Sequence, residues 1–400
     1  MLATQTMTLF EEPQAGARPA LLRWARETMG YSVEEVAERV KRHPDVIEAW
    51  ESGTATPTYS QLETLAYEVY KRPLATFFLP TPPDEPLPAR KFRTLPDSDL
   101  NKLKPDTYLQ IRRGQARQFS LKELFSDRNP SPRLIWRDLR LSVDRSVPEQ
   151  AAAVRQFLQV SMEIQTAWKT DATALKGWRT AIESAGVFVF KASFKQEELS
   201  GFCLFDDEFP IIVLNNGNAQ TRQAFSLLHE LAHLLLGENG ISKTDLAYID
   251  QLPGGRRELE RFCNALAAEV LMPADDFRQH SADLPTRAET ATDRQFARLS
   301  SRYHVSREVV LRRLLDQGNV TTAFYRRKAA EWSDQKAGAG SGGGDYYATQ
   351  NVYLSSRFAE EVVRRRLQQK ITLEQASSYL GVKARNFAAL EQRILQGAAA

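Results

Sequence analysis

The sequence predicts a mainly α-helical protein with one small β-sheet, an α+β chain of several domains. Helical periodicity runs through residues 19–82, through 223–313 and through the last fifty residues. The β-rich runs are confined to "GVFVF", "SGFCLF" and "PIIVLNN", all between residues 186 and 216. Four hundred residues also exceed one ordinary core, so two to four domains are expected.

Residues 1–82 read as the first domain, with five short helical pulses from residue 21 onward. Ser32 is a natural N-cap, with Glu35 completing a capping box. "VEEVAERV", a turn and "PDVIEAWESG" have helix-turn-helix spacing, with Ala37, Val46, Ile47 and Trp50 as its core. The proline cluster in "FFLPTPPDEPLP" blocks helix continuation and marks a boundary. Residues 83–145 follow as a helical linker, and 146–320 as a mixed domain holding the three β-rich runs. Within it, residues 291–320 have helix-turn-helix spacing again. Residues 321–400 combine the glycine-rich "AGAGSGGGDYY", read as a linker, with further helices. "ITLEQASSYLGVKARNFAALEQRI" there carries a third such spacing, and Arg364, Arg365 and Arg366 form a local basic run. Charge runs are more often solvated helix faces than binding sites.

Composition removes several functional classes. The chain carries 53 basic and 50 acidic residues, so it is no polycation, and nucleic-acid binding would need a local patch. Two cysteines, Cys203 and Cys263, make no disulfide framework and suit a reducing compartment. The N-terminus has no signal-peptide pattern, and no run approaches the ~20 apolar residues of a membrane span. The expectation is a cytoplasmic protein without a membrane partner.

The sharpest motif is "FSLLHELAHLLLGENG", residues 225–240. On a helix, His229 and His233 stand one turn apart on one face and can share a metal ion. Glu230 lies about 100° round the axis, where it flanks the ion rather than binding it. Two neutral nitrogens for zinc, with a carboxylate to take a proton from water, is what a zinc hydrolase requires. The surrounding leucines bury the helix and hold the ligands, and Gly237 stops it. The histidines could instead be packed core residues. A chain with five histidines seldom spells H-E-x-x-H by chance, and a buried cluster without metal would need several hydrogen-bond partners. A third ligand is needed, and "RRELERFCNALAAEVLMP" offers Glu258, Glu260 and Glu269. Glu260 shares a face with Asn264 and Ala267, small residues that permit close approach. Glu258 points nearly opposite, and Glu269 is the runner-up. Spacing alone leaves the choice open.

Residues 185–320 resemble the ImmA/IrrE metallopeptidase family. The resemblance rests on "PIIVLNN", Arg222, "FSLLHELAHLLL", "ELERFCNALAAEVLMP" and "FARLSSRYHVSREVVLRRL", in that order. It implies a gluzincin-like zinc endopeptidase with Zn²⁺ on His229, His233 and Glu260 and with Glu230 as the general base. Cys263 is read as packing. Asn215, Arg222 and Asn264 are candidate second-sphere or substrate-contacting groups, and Tyr248 and His280 candidate auxiliaries. Each of these could equally be structural. The strand "PIIVLNN" is expected to border the cleft and to offer its edge to an extended peptide.

The first domain resembles the Xre/Cro-like repressors over about 60 residues, through "ESG" and "TPTYSQLETLA" as well as the two helices. Lys41 stands where that family usually has glycine. Lys41, Arg42 and His43 are candidate DNA contacts. Asp45, Glu48 and Glu51 on the second helix would repel phosphates, so the domain reads either as a DNA reader or as a protein-contact module for homodimerisation or substrate docking.

Together these features imply a cytoplasmic zinc endopeptidase that cleaves a repressor or antitoxin-like regulator in stress response or mobile-element control. The alternative is a helix-turn-helix regulator or antitoxin whose metallopeptidase-like domain is a non-hydrolytic sensor or interaction module.

Overall fold

The structure, a computed structural model, describes residues 16–85, 92, 95–100, 102–244, 246–285, 288–336 and 353–398. They fall into two compact units, one within Met1–Lys91 and Ser98–Ile111, the other within Phe92–Asp97 and Arg112–Ala400. The glycine-rich segment 337–347 lies outside the described residues.

The first unit is helical. Pro19 opens α1 (Pro19–Glu27), where its missing N–H costs nothing. Ser32 and Glu35 form a reciprocal capping box on α2 (Val33–Val40), and Pro44 opens α3 (Pro44–Ser52). Lys41 ends α2 in the left-handed region at φ 55°. A second capping box, Thr58 with Gln61, starts α4 (Tyr59–Glu63), which continues as a π-helical turn, Thr64–Val69. Leu22, Val36, Ala37, Ile47 and Trp50 are buried in one core, and Val46 packs against it partly buried. Glu51 departs from expectation. It does not face outward with Asp45 and Glu48, but is buried and accepts hydrogen bonds from Arg26 Nε at 2.7 Å and Nη2 at 2.9 Å.

The division between the units falls inside α5 (Pro105–Phe125). Beyond it, Leu121, Leu124, Ile135 and Trp136 are buried, so part of 83–145 is core rather than linker. The second unit continues with α6 (Val147–Leu158) and α7 (Asp171–Ser184). A four-stranded sheet follows, from β1 (Phe188–Ala192), β2 (Leu199–Leu204), β3 (Ile211–Asn215) and β4 (Gly240–Lys243), in spatial order β1-β3-β2-β4. β3 runs parallel to β1 (Phe188 opposite Ile211) and antiparallel to β2 (Leu204 opposite Ile211), and β4 runs antiparallel to β2 (Cys203 opposite Gly240). The expected peptide-binding edge on "PIIVLNN" is therefore corrected: β3 is paired on both sides, and the edge strands are β1 and β4.

Between β3 and β4 the chain makes α8 (Gln220–Leu235), which packs on β2, β3 and β4 and against α7 and α9 (Gly254–Leu271). Next come α10 (Ala274–Ser281), α11 (Asp293–Tyr303), α12 (Arg307–Asp316) and α13 (Thr322–Lys336). The last helices are α14 (Ser356–Leu367), α15 (Leu373–Leu380) and α16 (Ala384–Ala398). Among the described residues no helix is long and apolar enough to cross a membrane.

Candidate metal centre

Every residue of α8 from Gln223 to Leu235 is buried. Leucines on all sides hold the helix between sheet and α9, so its polar side chains have almost no freedom. His229 and His233, one turn apart, bring their Nε2 atoms to 3.0 Å. Gly237 ends the helix at φ +76°, a conformation that favours glycine, and Glu238 N–H closes back on His233 O at 2.9 Å.

α9 brings Glu260 to this pair. Its Oε2 lies 3.4 Å from His229 Nε2 and its Oε1 lies 3.3 Å from His233 Nε2, all three side chains being essentially buried. One ligand atom from each residue falls within 4.8 Å of the others. Ala267 is buried on the face of α9 below Glu260, and Asn264 Oδ1 lies 3.0 Å from His229 Nδ1. That contact turns the other ring nitrogen, Nε2, toward Glu260. The runner-up Glu269 is committed elsewhere: it accepts from Ala274 N–H at 2.7 Å at the start of α10 and pairs with Arg313. Glu258 is exposed.

Burial opposes the charge on Glu260, but the two imidazoles facing it, His233 foremost, outweigh it and hold the carboxyl well below its usual range. Tyr248 donates to Glu260 Oε2 at 2.9 Å. Burial, reinforced by the carboxylate, pushes that phenol well above its ordinary value, so it remains a donor. Cys263, read from sequence as packing, has its Sγ 3.6 Å from His233 Nδ1. Burial raises both Cys203 and Cys263, so both are neutral thiols.

Glu230 is fully buried beside the ligands. Ser242 Oγ on β4 donates to its Oε1. β4 comes this close because residue 240 is glycine: a Cβ there would meet His233 Cδ2 at 2.6 Å and Glu230 Oε2 at 2.7 Å. Glu230 Oε2 and Glu260 Oε1 are buried without a hydrogen-bond donor. Unsatisfied buried carboxylate oxygens are costly. Two imidazole nitrogens and a carboxylate that converge with such oxygens fit a divalent cation, and the N₂O set suits zinc.

Other candidates are placed away from these contacts. Asn215 serves the end of β3, its Nδ2 donating to Leu199 O at 2.8 Å and its Oδ1 accepting from Gly217 N–H at 3.0 Å. Arg222 donates to Lys243 O and Thr244 O, tying α8 to the end of β4. These are bonds to backbone that hold the ends of β3 and β4. His280 bonds within its own helix, to Asp276 O at 2.8 Å. In the first unit, Lys41, Arg42 and His43 are exposed at the turn between α2 and α3, and His43 Nδ1 lies 3.1 Å from Asp45. Sequence reasoning missed Ser242 and Gly240. "GISK" is short and half polar, and only pairing with β2 makes it a strand.

Comparison with known proteins agrees with this geometry. Residues 182–315 match the family described as the IrrE N-terminal-like domain, and residues 20–70 match a helix-turn-helix domain family. The chain is 33% identical over 140 residues to the radiation response metalloprotease IrrE of Deinococcus deserti, covering 34% of this chain and 47% of that protein. It is 33% identical over 150 residues to the protein of the same name from Deinococcus radiodurans, covering 34% and 41%. The match thus spans less than half the length of either relative.

Proposed function

We propose that the segment matching the IrrE N-terminal-like domain is a zinc-dependent endopeptidase, with His229, His233 and Glu260 holding the metal and Glu230 as general base. The supporting observation is the buried convergence of those three ligand atoms within 4.8 Å, with a second carboxylate, Glu230, buried beside them. Zinc bound there would supply Lewis acidity toward a peptide carbonyl and bring the pKa of water toward ~7. Glu230 has one oxygen held by Ser242 and the other without a donor. The free oxygen accepts a proton from the attacking water and returns it to the departing amine. Tyr248 and Asn264 act through the ligands, fixing Glu260 and the His229 ring.

The substrate in this reading is a regulatory protein of the repressor or antitoxin kind, cleaved in the cytoplasm in stress response or mobile-element control. Fusion to a helix-turn-helix domain supports it, because such a domain brings the peptidase to DNA or to another regulator. The two relatives carry the same association of metalloprotease with a radiation response in their names.

The test uses the full chain. Purified wild type should hold about one zinc per chain and His233→Ala almost none. Cells expressing wild type should contain protein fragments that disappear with Glu230→Gln. Equal zinc in both proteins, or identical fragments with and without Glu230, would overturn the reading and leave a non-hydrolytic regulator.

A further inference from the structure

The C-terminal helices repeat the N-terminal helix-turn-helix at a constant offset of 340 residues. Thr372 caps α15 in a capping box with Gln375, as Ser32 caps α2 with Glu35. Both capped helices are eight residues long, and each ends in a left-handed residue, Gly381 at φ 67° and Lys41 at φ 55°. Three residues later the second helix begins, at Ala384 as at Pro44. Phe387 and Leu390 are buried at the positions of Ile47 and Trp50. The C-terminal turn is the less strained, because glycine takes the conformation that lysine must adopt at 41.

The second helices differ in what they present. α3 exposes Asp45 and Glu48. Residues 32–52 hold six acids and three bases, whereas the equivalent residues 372–392 hold two of each. α16 puts Arg385 where α3 has Asp45, and Ala388 where it has Glu48. Lys383 and Arg385 are exposed and form no ion pair among the described residues. The exposed Ala388 and Ala389 leave the helix surface low enough to enter a groove. From Ser356 to Ala398 the chain has eight bases against four acids. The third such pair, α11 and α12, is richer in arginine, but the arginines of its second helix, α12, are engaged. Arg307 lies 3.5 Å from Asp293, Arg312 lies 3.3 Å from Asp316 and over Tyr325 of α13, and Arg313 pairs with Glu269.

We propose that α16, rather than α3 or α12, is the helix that enters the major groove of duplex DNA, with Lys383 and Arg385 contacting phosphates and base edges. Cations on an exposed second helix of a helix-turn-helix meet DNA with both charge and shape complementarity, whereas acids at the same positions repel it. This assignment does not depend on the peptidase reading.

The experiment measures full-length protein binding to a fluorescent, mixed-sequence duplex of about 30 base pairs across a range of NaCl concentrations. Wild type should bind with an affinity that falls as salt rises. Lys383→Ala with Arg385→Ala should weaken binding about tenfold or more and make the log–log salt slope shallower by about 2. Lys383→Arg with Arg385→Lys should bind as wild type, and so should Lys41→Ala with Arg42→Ala. Melting temperature reports whether each variant is folded. If the double alanine variant is not, Ala388→Glu places an acid on the same exposed face and should cause the same loss. Absence of salt-dependent binding by wild type, or undiminished binding by folded α16 variants, would overturn the proposal.

Discussion

The phenol of Tyr248 donates to Glu260 Oε2 at 2.9 Å, so a residue on the short helical turn before α9 holds the carboxylate that faces both imidazoles. Tyr248→Phe keeps the ring in its buried slot and removes only the donor. Glu260 then loses its orientation, and one more of its oxygens lacks a partner. Losing an outer-sphere partner of a ligand typically lowers metal affinity about 10–100-fold. Competition against a chromophoric chelator should show that loss with the melting curve of the metal-loaded protein little changed. Unchanged affinity would mean that Tyr248 only packs.

Gly240 lets β4 run close against His233 and Glu230. A Cβ there would sit 2.6 Å from His233 Cδ2 and 2.7 Å from Glu230 Oε2, so Gly240→Ala must push β4 away from α8. Overpacking of this kind costs about 1–3 kcal/mol. The same movement carries Ser242 off Glu230, so activity should fall further than stability. Gly255, with nothing within 4 Å of its Cβ position, is the control. Gly255→Ala lies inside α9 and should be neutral or stabilising by up to about 1 kcal/mol. Denaturation midpoints of the two variants make the comparison.

What could be read from sequence follows from the range of the interactions involved. His229, Glu230 and His233 were legible because their relation is helical geometry within one turn. So was the Ser32–Glu35 cap, which is equally local. Glu260 and Glu269 were not separable by spacing. What separates them is that Glu269 is committed to Arg313, 44 residues away. Glu51 was misread for the same reason, since its partner Arg26 lies on another helix. β4 had no periodicity to reveal it, and Ser242 and Gly240 went unseen with it. Asn215 sits at the end of its strand as read, but its amide closes a turn instead of reaching the metal ligands.

The buried Arg26–Glu51 pair should govern the stability of the first unit. The Glu51 side chain is 5% exposed and that of Arg26 15%, so Arg26→Met strands a carboxylate in the core. Breaking a buried pair from one side costs about 3–5 kcal/mol, whereas replacing both members by apolar residues is often close to neutral. Arg23, whose side chain is 55% exposed and whose Nε lies 3.8 Å from Glu51, offsets part of the loss and places the cost near the lower end. Amide hydrogen exchange in α1–α3 should accelerate in Arg26→Met and recover substantially in Arg26→Met with Glu51→Leu. Equal exchange in all three proteins would show that the pair contributes nothing.

Two non-glycine residues in nearly the same left-handed conformation should respond to glycine in opposite directions. Lys41 has φ 55° and His304 φ 54°, and each ends the first helix of a helix-turn-helix pair. A side chain in that region costs about 1 kcal/mol, which glycine removes. Lys41 is exposed, so Lys41→Gly gives up little and should stabilise its unit by about 0.5–1 kcal/mol. His304 is buried, with Nδ1 3.0 Å from Asp171 Oδ1 and Nε2 2.9 Å from Trp168 O. Removing that ring loses two hydrogen bonds worth about 1 kcal/mol each and leaves a cavity, so His304→Gly should be net destabilising by about 1–3 kcal/mol. Opposite shifts of the urea midpoint are therefore expected from the same substitution at the same backbone angle. Stabilisation by both would show that backbone conformation outweighs the contacts of the His304 ring.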